Sequence, residues 1–187
     1  MPPMATRGAE TTKRGNVTLT GYESDILSEG LDVIFCGLNP ASNAAAAGHN
    51  FSHPSNRFWL VLHLAGFTHT RLQPQDERRL IEYGCGISVV VRRATTRADE
   101  ISQEEFKAAR LGFEAKMRRY APRSIAFLGK RALSAMLGDP KVEWGQLTMG
   151  FAGAKAWILP NPSGLNAHWP APRLAEAFAT LRAAAGS

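Results

Sequence analysis

Two asparagines carry the chemistry of interest, because the proline that follows each one holds it just past an apolar run. In VIFCGLNPASN, Asn39 precedes Pro40, and in AWILPNPSGLN, Asn161 precedes Pro162. A carboxamide accepts a hydrogen bond through oxygen and donates through nitrogen, but takes no proton at neutral pH. It can hold and orient a water or a polar edge; it cannot serve as a strong general base. Asn-Pro also occurs as a plain turn in which the asparagine caps a strand end. Two such turns, each after an apolar run, point to a site built at one edge of a sheet.

Other chemistries lack their residues. Gly129-Lys130 has no upstream glycine to make a phosphate-cradling loop, and no G-x-G-x-x-G follows a strand. Ser163 sits in NPSGL, not in a G-x-S-x-G elbow, and no carboxylate–histidine pair is evident for it. His49 and His53 flank Phe51 in a loop, a poor arrangement for a metal. The two cysteines, Cys36 and Cys85, cannot supply the four thiolates of an iron–sulfur cluster. Neither metal nor cofactor is expected. Both cysteines stand in apolar runs and read as buried thiols of a reducing, cytoplasmic compartment.

The elements that must position the asparagines follow from the hydropathy pattern. Residues 33–36, 85–91, 124–129 and 155–160 are apolar without alternation, as strands buried on both faces are. Between them lie helical patterns. Residues 56–67 place Phe58, Leu62 and Ala65 on one face. RRLIEYG is a second short helix ended by Gly84, and KRALSAML a further one. Ser102 with Glu105 three residues on is a capping box, and Pro122 closes that helix. APRLAEAFATLRAAA closes the chain as an amphipathic helix. The segment after the first strand reads as a long loop.

This alternation predicts a three-layer α/β/α sandwich around a mostly parallel sheet of about four or five strands. Ligands in such sheets bind beyond the carboxyl ends of the strands, where both Asn-Pro turns would lie. Residues 1–24 are polar and aperiodic and read as a flexible arm; residues 25–187 read as one domain.

The chain has 187 residues, 44% hydrophobic and 20% charged, as expected of a soluble single domain. No apolar run approaches the roughly 20 residues of a membrane span. The net charge of +6 favours a polyanionic partner such as nucleic acid. Arg92, Arg93 and Arg97 cluster after one strand and Lys130 with Arg131 after another. Arg92, Arg93 and Lys130 are candidate phosphate contacts, with ordinary solvated charge as the alternative.

GLNPAS after the first strand, FSHPSNRFW beyond it and LPNPSGLN after the last strand together resemble the mismatch-specific uracil-DNA glycosylase family. LAGFT, YGCGIS, LGKRAL and EWG fall in matching order, so the resemblance spans roughly residues 25–185. It implies an enzyme that extrudes a base from duplex DNA and hydrolyses its bond to deoxyribose, leaving an abasic site. The base leaves as an anion from an oxocarbenium-like sugar, which calls for leaving-group stabilisation and a positioned water.

By that resemblance Asn39 positions the water, Phe51 stacks on the extruded base, and Gly37, Leu38, Asn161 and Ser163 complete the base pocket. The backbone N–H groups of Leu38 and Phe51 would face the base edge. Gly164, Leu165 and Asn166 would form the wedge that enters the base stack, leucine replacing lost stacking with apolar contact. The implied partner is double-stranded DNA bearing G·U, G·T or ethenocytosine, met by a monomer.

Two stretches depart from the family pattern. Relatives carry serine and then a basic residue after the wedge leucine, whereas Asn166, Ala167 and His168 stand here. Relatives carry lysine and then DRPT where this chain has Val89 and RRAT. The carboxylates of that second loop are Asp99 and Glu100, so Asp99 is the candidate auxiliary to Asn39. A damaged-base-binding module without catalysis is the alternative reading of the whole pattern.

Overall fold

A computed structural model describes residues 24–186; nearly all of the polar N-terminal stretch read as an arm lies outside the described residues. Five strands form one sheet: β1 (Val33–Gly37), β2 (Cys85–Val89), β3 (Ser124–Leu128), β4 (Gly145–Gln146) and β5 (Lys155–Leu159). Their order is β2-β1-β3-β5-β4, with all pairings parallel except the antiparallel edge strand β4. The first four helices are α1 (Ser42–Ala47), α2 (Phe58–Leu64), α3 (Gln103–Tyr120) and α4 (Arg131–Leu137). The last is α5 (Ala171–Ala185), and two 3-10 segments span Pro74–Tyr83 and Ala98–Glu100.

Strand residues alternate between two cores. Val33, Phe35, Ile87, Leu128 and Leu159 face the layer of α2 and α5, and Ile34, Cys36, Ile125, Phe127 and Ile158 face α3 and α4. A sheet buried on both faces needs apolar residues at every strand position, which is why the strands lack alternation in sequence. The expected three-layer α/β/α sandwich is the observed fold.

On the first face Phe35 packs edge-on against Phe58 at 5.5 Å and Phe67 at 5.3 Å, and stacks on Phe178 at 5.8 Å. Each fully buried aromatic contributes roughly 1.5–3 kcal/mol, so this cluster ties α2 and α5 to β1. Phe58, Leu62 and Ala65, expected on one helical face, are all buried there.

Local signals account for the element ends. Ser102 Oγ accepts from the Glu105 N–H at 3.2 Å and Glu105 Oε2 accepts from the Ser102 N–H at 3.1 Å, the expected capping box. Gly84 ends the first 3-10 segment at φ +71°, and a Cβ there would meet Asp32 Oδ2 at 2.6 Å. Only glycine suits that corner.

Three elements were not expected from sequence, one of them the 3-10 segment Ala98–Glu100 in a stretch read as loop. The loop after β1 contains α1, a single-turn helix whose Ala44 and Ala45 are buried. The two-residue β4 is too short to show a pattern and exists by pairing with Ile158 and Trp157.

Candidate active site

The parallel strands end side by side, with Gly37 level with Val89 and Leu128 level with Leu159. The loops beyond them enclose a cavity of about 670 Å³, lined by Asn39, Phe51, Asn161 and Leu165 among others. That size lies within the usual range for small-ligand sites, about 300–1,000 Å³. Both Asn-Pro turns therefore open on one space.

Asn39 is fixed by the loop after β2. The two N–H groups of its Nδ2 are shared among three acceptors, the carbonyl of Arg93 at 2.9 Å, the carbonyl of Pro40 at 3.1 Å and Thr95 Oγ1 at 2.7 Å. Two of these acceptors are carbonyls, which cannot donate, so chemistry assigns nitrogen to that side of the amide. Oδ1 is left without a protein donor among the described residues, and it is the atom able to hold a water. Thr95 is itself buried, and its N–H donates to the Pro40 carbonyl at 3.1 Å while its carbonyl accepts from Ser42 at 2.8 Å. The two loops are stitched together beneath Asn39.

Phe51 lies face to face with Phe58, centroids 4.0 Å apart and planes 27° apart, and remains half-buried. Phe51 also lines the cavity. The residue adopts φ +51°, an uncommon conformation for a bulky side chain. Neighbouring Asn50 secures it. The Asn50 backbone and side-chain N–H groups donate to buried Glu77 Oε2 at 2.7 and 3.0 Å, and its carbonyl accepts from Trp59 Nε1 at 3.1 Å. The Asn50 side chain also donates to the carbonyl of Ser24 at 2.9 Å. Neither the Leu38 N–H nor the Phe51 N–H has a protein acceptor among the described residues.

Asn161 lines the cavity and forms an Asx turn, its Oδ1 accepting from the Ser163 N–H at 2.9 Å, which leaves Nδ2 without a protein acceptor among the described residues. Leu165 is 95% exposed at the tip of the same loop. Gly164 beside it presses on the opposite wall, since a Cβ there would lie 2.5 Å from Ser55 Oγ and 2.7 Å from the Ser55 carbonyl oxygen. Gly164, expected in the wedge, thus packs directly against Ser55. Gly164→Ala is expected to push the loop off Ser55 with the fold retained and, by the glycosylase resemblance, to weaken duplex binding by about ten-fold. Fluorescence anisotropy with a circular dichroism control checks both halves.

Several predicted residues have other engagements. Asp99 does line the cavity, but Arg97 clasps it at 2.6 and 2.9 Å, and Asn39 contacts Thr95 rather than Asp99. The Arg97 hydrogen bond holds the Asp99 carboxyl below the ordinary carboxylate range. A lowered pKa leaves Asp99 ionised at neutral pH and confines its proton uptake to more acid conditions, so it is a poor base. By the glycosylase resemblance, base release would show no inflection from this loop between about pH 6 and 8. A single-turnover pH profile of the wild type beside Asp99→Asn checks this; an inflection present only in the wild type would restore the carboxylate's role.

Arg93 contributes its carbonyl to Asn39, while its guanidinium is paired with Glu105 at 3.0 Å, away from the phosphate role expected of it. Lys130 Nζ lies over the Trp144 ring at 4.7 Å. Arg92 is exposed beyond β2. None of Arg92, Arg93 and Lys130 lines the cavity. Asn166 turns its amide back onto the Asn161 carbonyl at 3.0 Å, so its side chain shapes the loop. Burial pushes both cysteine thiols well up, which removes them as nucleophiles at neutral pH.

Sequence reasoning missed Thr95, Asn50, Glu77 and Arg57. Arg57 precedes α2 and its guanidinium donates to four carbonyls of the Leu165 loop. Its only signal was a cation at the start of an apolar helix inside FSHPSNRFW.

A parallel sandwich with Asn39, Phe51 and Asn161 lining one cavity at the carboxyl ends of its strands defines an α/β protein with its candidate site where such folds bind ligands. Among solved structures, it is similar to the solution NMR structure of a provisionally assigned uracil DNA glycosylase from Methanosarcina acetivorans. The TM-score is 0.55 at 20% identity, over 85% of this chain and 94% of that one. The sequence profile described as the Uracil DNA glycosylase superfamily matches residues 25–182. The chain belongs to that superfamily.

Proposed function

We propose that this protein is a monofunctional, mismatch-directed DNA glycosylase, releasing uracil, and also mispaired thymine or ethenocytosine, from duplex DNA. The observation that carries the reading is Asn39, whose nitrogen is fully engaged, whose Oδ1 has no protein donor among the described residues, and which lines one cavity with Phe51, Asn161 and Leu165. The extruded base stacks on Phe51, a contact contributing roughly 1–3 kcal/mol and tolerant of base identity. Donors from Asn161 Nδ2 and from the Leu38 and Phe51 backbones meet its oxygens.

The C1′–N bond breaks with its electron pair going to the base, and the donors stabilise the resulting anion. Water held by Asn39 Oδ1 adds to C1′ and loses its proton to solvent. No strong base assists, so turnover is slow. No lysine lines the cavity among the described residues, in keeping with hydrolysis instead of Schiff-base strand cleavage.

The test is a duplex with one G·U, G·T or ethenocytosine·G pair, incubated with excess protein and then treated with alkali. Strand scission at the modified position is expected, fastest for G·U. Tight, lesion-selective binding without scission would favour the binding-module reading, which the absence of a titrating base at Asn39 keeps in view.

A further inference from the structure

The loop that carries Leu165 owes its shape to a residue on another segment. Arg57 Nε donates to the Pro162 carbonyl at 3.3 Å, one terminal nitrogen donates to the Ser163 and Asn166 carbonyls at 2.7 and 3.1 Å, and the other donates to the Trp169 carbonyl. The Arg57 backbone N–H adds a bond to Pro162 at 3.0 Å. A guanidinium has five N–H donors, and these four side-chain bonds commit all but one of them to a single loop. No carboxylate pairs with Arg57 among the described residues. Engaged this way, the group is a staple and has little left for a phosphate.

The purpose of the staple lies in what the loop holds out. Leu165 is 95% exposed and contributes nothing to the core, so no apolar packing defines its position. Exposed loops without such packing move freely. Arg57 supplies the missing definition, and it does so from the segment that carries Phe51, which Asn50 and Glu77 lock at its other end. Ser55 of the same segment meets Gly164 directly.

We infer that Arg57 is a positioning residue that sets Leu165 at a fixed offset from Phe51, so that opening of a paired duplex depends on it while recognition of an already unpaired site does not. The inference rests on the reading of Leu165 as a wedge. Lysine preserves the charge but lacks the planar fork that reaches several carbonyls at once, so Arg57→Lys separates positioning from electrostatics.

The experiment uses a stable abasic analogue, a tetrahydrofuran nucleotide, in a duplex opposite guanine and in the same strand unpaired, with 2-aminopurine beside it to report unstacking. Wild type, Arg57→Lys, Leu165→Ala and the double variant are compared by anisotropy and 2-aminopurine fluorescence. Arg57→Lys is expected to lose about ten-fold in affinity for the duplex together with the fluorescence rise, and less than about two-fold for the single strand. The double variant should bind no more weakly than Leu165→Ala, since both changes remove one function. Equal losses on both strand forms, or additive losses in the double variant, overturn the inference. Wild-type protein that does not prefer the abasic duplex removes the wedge itself; a preference that Arg57→Lys keeps removes only the role of Arg57. Because no bond is cleaved, the result stands apart from whether the protein releases a base.

Discussion

Replacing Asn39 by alanine is expected to lower the single-turnover rate of base release by about two to three orders of magnitude, with duplex affinity within about two-fold of wild type. The separation follows from geometry. Nδ2 is occupied by the Pro40 and Arg93 carbonyls and by Thr95, so the amide has one free function, acceptance through Oδ1. Alanine removes the water's anchor and leaves the wedge loop and Phe51 untouched. It also strips those loop acceptors of their donor, at a cost of about 1–3 kcal/mol where they are shielded from water, so a thermal melt belongs beside the kinetics.

Aspartate offers a sharper comparison. As a carboxylate it is the better base, yet one oxygen would face two carbonyl oxygens that now accept from nitrogen. Asn39→Asp is therefore expected to be slower than wild type, because the loop after β2 is built to receive a donor. Rates above wild type would mean that this loop yields and that base strength, not water placement, limits the chemistry.

Leu165→Ala carries the second large effect. A leucine moved from water into a base stack gains about 2 kcal/mol, so affinity for an abasic-site duplex should fall about thirty-fold. Thermal stability should stay within about 0.5 kcal/mol, since a side chain 95% exposed supports nothing in the free protein. Few substitutions separate function from stability so cleanly. Isothermal titration against abasic and unmodified duplexes, with a melt as control, measures both. Unchanged abasic affinity would remove the wedge.

The layered fold was legible in the residues because each buried strand is a short apolar run bounded by turn formers, and α2, α3 and α5 show a face or a cap. Ser102 and Glu105 announced α3, and Gly84 the end of the first 3-10 segment. Neither α1 nor β4 could be read, since one turn of SNAAAA and the pair Gly145-Gln146 are too short to have a period. Asn39, Phe51, Asn161 and Leu165 were found through their motifs and do converge on one cavity.

The supporting residues were not found, for a physical reason. Thr95, Glu77 and Arg57 act through hydrogen bonds to backbone atoms distant in sequence, and such partners leave no spacing to read. The same blindness assigned Arg93 and Asp99 by position. Arg93 pairs with Glu105 and Asp99 with Arg97, and each pairing depends on how the loop after β2 folds back.

The most direct measurement is a crystal structure of the protein on a duplex containing 2′-fluoro-2′-deoxyuridine opposite guanine, whose fluorine disfavours the oxocarbenium and keeps the base attached. The expected result is uracil against Phe51, Leu165 in the gap it left, and a water on Asn39 Oδ1 aligned with C1′. Uracil still paired in the helix, or extruded with Asn39 Oδ1 turned away from C1′, would contradict the mechanism.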